Sequence, residues 1–208
     1  MPLWNQGRRE EESDEALMER YRKGDAEAIG VLYDRYARPL RAYVARRGAR
    51  RPDDLVQDVF VRIVRKGKDF EGRASFKTWL FQIARNMCVD AARRDHFRVM
   101  PSLDAPVRSE EGSATRGDFV ASEAPEADAA RAVASQRFSA DLDAALAELP
   151  EEQREVFLLR QISGLSFKEV AAAVGTNENT VKSRMRYALK ALRQRLRAHH
   201  RGDDEDPD

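Results

Sequence analysis

Apolar residues in this chain recur at intervals of three and four, segment after segment, and rarely alternate. That period is the buried stripe of an amphipathic helix, so a chain that keeps it nearly throughout must pack helices against helices. A first helix is predicted from Asp14 to Lys23, capped by Ser13 and stopped by Gly24. A second starts after Asp25 and ends near Gly48, with Ile29, Leu32, Tyr33, Tyr36, Leu40, Tyr43 and Val44 on its stripe. Pro52 and Asp53 open a third, its stripe Leu55, Val56, Val59, Phe60, Ile63 and Val64, and Gly67 stops it. Ser75 caps a fourth, whose apolar face is Phe76, Trp79, Leu80, Ile83, Ala84, Met87 and Ala91. These four can share one core.

The period fades from about Val99 to Ala134, where Pro101, Pro106 and Pro125 appear among Ser, Gly, Ala and acidic residues. This composition is that of a linker. Fully extended it would reach on the order of 100 Å. A helical restart near Arg131 is compatible with it. The stripe then returns as Phe138, Leu142, Ala145, Leu146 and Leu149. Pro150 and Glu151 start the next helix, with Val156, Phe157 and Leu159 inward and Gly164 beyond its end. The expected fold is all-α: two small helical domains, residues 13–98 and 136–198, joined by a flexible acidic linker, residues 99–135, and followed by a solvated acidic tail, residues 199–208.

The sharpest local signal begins at Leu165. Ser166-Phe-Lys-Glu169 is a capping box. Val170, Ala171 and Val174 follow, then Gly175, and Thr176 or Asn177 caps a long final helix running to about Arg197. A short helix, a glycine turn and a second helix make a helix-turn-helix. The run Ala171-Ala172-Ala173 lets the helices cross closely, with Val181 and Met185 or Leu189 packed inward. The outward face carries Asn177, Asn179, Thr180, Lys182, Ser183, Arg184 and Arg186, in the N-terminal half that enters a major groove. Lys and Arg bond guanine or phosphate, and Asn and Ser bond base edges or backbone. Lys190, Arg193, Arg195 and Arg197 suit phosphates.

The net charge is only +1, but acids collect at both ends and bases between them, which points to local electrostatic roles. A single cysteine, Cys88, excludes an internal disulfide and reads as a small buried side chain. The start, Met1 to Glu12, is too polar for a signal peptide, and no stretch approaches the ~20 apolar residues of a membrane span. A cytoplasmic protein without membrane insertion is expected. His96, His199 and His200 have no Cys or His partner at metal spacing, and no phosphate-binding glycine loop exists. No catalytic residues, metal or cofactor are therefore expected, and the chain does not read as an enzyme.

In the first domain, aromatic and basic residues interleave: Phe70, Arg73, Phe76, Lys77, Trp79, Phe81, Arg85, Arg93 and Arg94. Such a mixture suits single-stranded DNA, with bases on aromatics and phosphates on cations. Phe76 and Trp79 lie on the apolar stripe and read as core; Phe70 sits in a glycine-containing loop, where an aromatic has less structural reason to be. Three motifs occur in order: Asp54-Leu-Val-Gln-Asp-Val-Phe; Phe70-x-Gly-x-x-Ser-Phe-x-x-Trp-Leu-x-x-Ile-Ala-Arg-Asn-x-x-x-Asp; and Leu149-Pro-x-x-x-Arg-x-Val-Phe, leading into the helix-turn-helix. Over about residues 14–98 and 136–197 they resemble the extracytoplasmic-function (ECF) group of bacterial RNA polymerase sigma factors.

The resemblance implies a region 2-like first domain, a region 4-like second domain and a division of labour. Leu55, Gln57, Asp58, Phe60 and Arg62 would contact core polymerase at the beta-prime clamp helices, and the second domain would meet the beta flap. The first domain would melt the −10 element and trap a flipped base through the loop Phe70 to Ser75, including Arg73, and through Asn86, with Lys77, Arg93 and Arg94 on the backbone and Trp79 also among the −10 DNA-binding residues. The second would read the −35 duplex through Asn179, Thr180, Lys182, Ser183, Arg184, Arg186 and Lys190. The linker would thread near the polymerase active site and RNA exit path. An anti-sigma factor is the implied regulator. The chain departs from the family at Arg186-Tyr187, where the order of aromatic and arginine is reversed. The rival reading is a helix-turn-helix repressor or activator that binds duplex promoter DNA unaided.

Overall fold

The computed structural model describes residues 12–67, 70–99 and 126–202, and every regular element among them is a helix. The first group is α1 (Asp14–Arg22), α2 (Glu27–Arg46), α3 (Pro52–Lys66) and α4 (Phe76–Val99). The second is α5 (Glu126–Ala147), α6 (Glu151–Gln161), α7 (Phe167–Val174) and α8 (Glu178–Gly202).

Caps set the starts. The Ser13 hydroxyl accepts from the Ala16 N–H at 3.2 Å, Pro52 occupies the first turn of α3, and the Ser75 hydroxyl accepts from the Thr78 N–H at 3.2 Å. Glu15 of α1 takes the Phe76 N–H at 3.1 Å, so α1 closes the start of α4. Asp14 ties α1 to α2 by accepting from Tyr36 and Arg35. Gly67 marks a close approach: a Cβ there would stand 2.7 Å from the Tyr21 ring, whose hydroxyl donates to the Val64 carbonyl at 2.8 Å.

The first core contains Leu17, Leu32, Leu40, Tyr43, Val59, Ile63, Phe76, Leu80 and Phe81. The second contains Leu146, Leu149, Val156, Leu158, Leu159, Val170, Val181 and Leu192. Each such side chain contributes about 1.5–3 kcal/mol by burial. Four stripe residues stand outside these cores: Tyr33, Val64, Phe138 and Leu189 are exposed. Val64 and Leu189 lie at the edges of their stripes, where the 3.6-residue turn rotates a side chain past the contact; Tyr33 and Phe138 stay exposed within theirs.

Two boundaries differ from expectation. The expected linker extends to residue 135, whereas α5 begins at Glu126. Ala127, Ala129, Ala130, Ala132 and Ala134 give that stretch high helix propensity without an apolar stripe, so the period conceals it. The final helix also continues to Gly202, through the start of the expected tail. The flexibility expected of residues 100–125, and the acidic ends 1–11 and 203–208, lie outside the described residues.

The two groups touch. Helix α4 lies against α7, and α2 meets α5 and α6. Arg46 pairs with Asp143 at 2.7 Å, and Arg47 with Glu151 at 3.0 Å, across this junction.

Candidate nucleic-acid interface

The helix-turn-helix is set by three local devices. The Ser166 hydroxyl accepts from the Glu169 N–H at 3.2 Å while Glu169 accepts the Ser166 N–H at 2.8 Å, completing the capping box. Gly175 ends α7 at φ +72°, a left-handed conformation that side chains with a Cβ resist. Asn177 caps α8, accepting from the Thr180 N–H at 2.8 Å. Ala171 and Ala173 are buried, and Ala172 faces solvent. Val181, Met185, Ala188 and Leu192 turn inward, so of Met185 and Leu189 it is Met185 that is buried.

Of the residues expected on the −35 face, Asn179, Lys182, Arg186 and Lys190 are exposed together along α8. Lys182 is steadied by Glu178 at 2.7 Å, and the Arg186 guanidinium lies 5.3 Å from the Tyr187 ring centre. Ser183 is half-buried and donates to the Thr180 carbonyl at 2.9 Å. Thr180 is also half-buried. Arg184 is turned aside, half-buried and paired with Glu152 of α6 at 2.5 Å. Beside this face a cavity of about 580 Å³ is lined by Phe167, Met185 and Leu189 together with Arg186, Lys190 and Arg193.

In the first group, α3 does not present all of its expected residues. Leu55 and Phe60 are buried, because they share the inward stripe with Val56, Val59 and Ile63. The outward face is Gln57, Asp58, Val61, Arg62 and Val64. Val61, which sequence reasoning missed, is 45% exposed. Its signal was an apolar residue opposite the stripe.

Phe70 is also interior. It is 8% exposed, with its ring 5.1 Å from Trp79 and 6.2 Å from Phe76. Phe76 is core, as its stripe position implied, and Trp79 is half-buried. Arg73 is exposed beside Glu71 at 2.5 Å. Arg93, Arg94 and Arg62 gather with Met87 and Asp90 around a cavity of about 530 Å³, joining a residue expected to meet polymerase to two expected to hold DNA. Asn86 is exposed one position from Arg85, which reaches its side-chain oxygen at 3.4 Å.

Ser75 and Lys77 are half-buried beside the other group. The Ser75 hydroxyl donates to Glu169 Oε1 at 3.0 Å, and the Thr78 hydroxyl donates to the same oxygen at 3.2 Å. Lys77 lies beside Gly164. Burial works to raise the Glu169 carboxyl, but hydrogen bonds from Ser166, Ser75 and Thr78 outweigh it and hold the group down to about 2. Nearby, buried Glu155 receives Arg85 at 3.0 Å and Arg47 at 3.3 Å. Burial pushes the Cys88 thiol up to about 11, which leaves it unreactive. Among the described residues, no group of three or more His, Cys, Asp and Glu could hold a metal ion, and no helix is long and apolar enough to cross a membrane.

Comparison with known proteins agrees with this two-part layout. Residues 32–98 match the family model for Sigma-70 region 2, and residues 139–192 match that for Sigma-70, region 4. The ECF RNA polymerase sigma-E factor of Escherichia coli is 30% identical over 188 residues, 88% of this chain and 94% of that protein. The RNA polymerase sigma-H factor of Pseudomonas aeruginosa is 29% identical over 194 residues, 89% of this chain and 95% of that protein. Among solved structures, CnrH in complex with the cytosolic domain of CnrY superposes with a TM-score of 0.61 at 25% identity, covering 90% of this chain and 99% of CnrH. The sigma factor RpoE from Bartonella quintana, in complex with the anti-sigma factor NepR, gives 0.55 at 26% identity, covering 80% and 96%.

Proposed function

The chain belongs to the ECF group of RNA polymerase sigma factors, and from that membership we propose how its residues divide the work of promoter recognition. Residues 13–98 bind core polymerase and melt the −10 element, and residues 136–198 read the −35 duplex. The exposed face of α3, Gln57, Asp58, Val61 and Arg62, docks on the beta-prime clamp helices. Its acid, amide and apolar mixture suits a basic helix with apolar neighbours. The second domain meets the beta flap.

The −10 strand is held by Arg73, Ser75, Lys77, Asn86, Arg93 and Arg94. Phe70 and Trp79 support the loop from beneath. The −35 groove is entered by the N-terminal half of α8, with Asn179, Lys182, Ser183 and Arg186 at base edges and Lys190 on a phosphate. Arg184 reaches DNA only after leaving Glu152. The linker joins the two promoter-reading domains, and the protein works in the cytoplasm. By analogy with the CnrH and RpoE complexes, a cytosolic anti-sigma partner restrains it.

The supporting observation is the ordered pair of sigma regions over a chain with an exposed polar α3 face and a basic α8 face. The test is transcription in vitro with purified protein and core polymerase lacking any other specificity factor, on sheared genomic DNA. Discrete starts sharing two upstream elements are expected. No starts, with tight duplex binding by the protein alone, would instead establish the repressor or activator reading.

A further inference from the structure

We propose that the acidic residues 203–208 fold back onto the basic edge of α8 and compete with duplex phosphates for it. This rests on reading that edge as the phosphate-facing side of the −35 helix. Lys182, Arg186, Lys190, Arg193 and Arg197 stand along it. Of these five, only Lys182 has an ion-pair partner among the described residues, Glu178 at 2.7 Å. All five rim a cavity of about 580 Å³ that they share with the apolar Phe167, Met185 and Leu189. Leu189 is left 45% exposed there. Carboxylates seated beside apolar side chains are screened less than in open water, so each pairing with the rim is stronger.

Charge, length and position select the occupant. Asp203, Asp204, Glu205, Asp206 and Asp208 place five carboxylates within six residues, directly after Gly202, where α8 ends. Extended, those residues reach about 20 Å. On a helix rising about 1.5 Å per residue, Arg197, Arg193 and Lys190 lie about 8, 14 and 18 Å back from Gly202, and Arg186 about 24 Å. The acidic segment therefore covers the last three cations and stops short of Lys182 and Arg186, which are placed at base edges. Gly202 is where the chain reversal costs least, since glycine takes left-handed backbone without strain. A tethered segment competes at an effective concentration on the order of millimolar. It weakens every duplex by the same factor, because the cations it covers hold phosphates and carry no sequence information.

The test uses the full chain and two readouts. The first involves no DNA. A spin label on Pro207→Cys, with Cys88→Ala, leaves all five acids in place. With the segment seated, the label lies near Lys190 and should broaden the amide signals around Lys190 and Arg193. Carried onward along the helix axis, it would lie more than about 30 Å from Lys190 and broaden neither. High salt should restore the signals. The second readout is binding of a labelled duplex of mixed sequence. With Asp203→Asn, Asp204→Asn, Glu205→Gln, Asp206→Asn and Asp208→Asn together, affinity at low salt should rise about fivefold and converge on wild type as salt increases, since apparent affinity scales with the uncovered fraction. A control that converts Asp104, Glu110, Glu111, Asp118 and Glu123 to their amides changes the net charge equally and should gain less than about twofold. Absence of broadening would overturn the seat. An equal gain from the control, or none from the tail variant, would overturn the competition. Failure of the −35 reading looks different: broadening persists while neither protein binds the duplex, and the competition falls with it.

Discussion

Phe70 separates two accounts of the loop before α4. As a base-stacking aromatic it would be exposed and dispensable for folding. In the structure it is 8% exposed and packed on Phe76 and Trp79. Replacing a buried Phe by Ala costs about 3–5 kcal/mol. Phe70 lies at the edge of the core, so about 3 kcal/mol is expected for Phe70→Ala. For a helical half of this size that is a fall in melting temperature on the order of 15 °C. The assay is thermal unfolding followed by Trp79 fluorescence, with Trp4, the other tryptophan, replaced by Phe. Phe70→Leu should return most of the loss, since it refills the volume without an aromatic ring. A stacked base is worth about 1–3 kcal/mol, five-fold to over a hundred-fold in affinity. Held at low temperature, where it remains folded, Phe70→Ala should therefore bind the −10 single strand within about threefold of wild type. An unchanged melting temperature together with a loss of tenfold or more in strand binding would refute the packing account and restore the stacking one.

Gly67→Ala should lower stability by about 1–3 kcal/mol in urea titration, because the new methyl stands 2.7 Å from the Tyr21 ring; Tyr21→Ala in the same background should recover part of the loss. Lys190→Ala should weaken −35 duplex binding equally for all sequences and reduce the slope of log affinity against log salt by about 0.9, whereas Lys182→Ala should discriminate between sequences. The Glu169 carboxyl, depressed to about 2, contributes stability that is fully present above the ordinary value of 4.5 and is lost as pH falls from there toward 2. Its partners are Ser166, Ser75 and Thr78, none of which titrates in that range, so carbon-13 NMR of the side chain should place the midpoint near 2. A midpoint near 4.5 would mean that the hydroxyls do not hold it.

Much of this fold is written in local signals. Ser13, Ser75 and the Ser166-to-Glu169 box fix helix starts because a hydroxyl meets orphan N–H groups within three residues, which sequence displays directly. The α3 stripe is legible too, yet the family resemblance assigns Leu55 and Phe60 to partner contacts, while their own stripe positions bury them. Phe70 misled in the opposite sense: a glycine-containing loop does not reveal that it folds back over Phe76 and Trp79. The start of α5 was hidden because alanine supports a helix without marking a face. The junction of Glu155 with Arg47 and Arg85, and of Glu169 with Ser75, was out of reach. Its partners are separated by 70 or more residues, and nothing local distinguishes them from surface charges.

The same pairing logic sorts the cations of α8. Arg184 and Arg195 are held by Glu152 and Glu148, at 2.5 and 2.6 Å, and so bind this helix to α6 and to the end of α5. Lys182, Arg186, Lys190, Arg193 and Arg197 follow one another at spacings of four, four, three and four. On a 3.6-residue helix that is a single straight edge about 22 Å long. Apart from the Lys182 contact to Glu178 within the helix, this edge has no ion pair among the described residues. An isolated solvated helix would gain from mixing its charges, as neighbouring like charges repel. A long edge of one sign, kept clear of acids while the opposite edge is neutralised by them, is favourable only against a polyanion. Phosphates spaced along a duplex would supply that partner, and the pairing of Arg184 with Glu152 leaves Lys182 and Arg186 as the cations that the proposed −35 reading places at base edges. Arg184→Ala should therefore cost stability of the second domain more than it alters sequence preference. Urea denaturation and promoter-variant binding on the same protein measure the two effects, and a larger change in preference than in stability would return Arg184 to the DNA face.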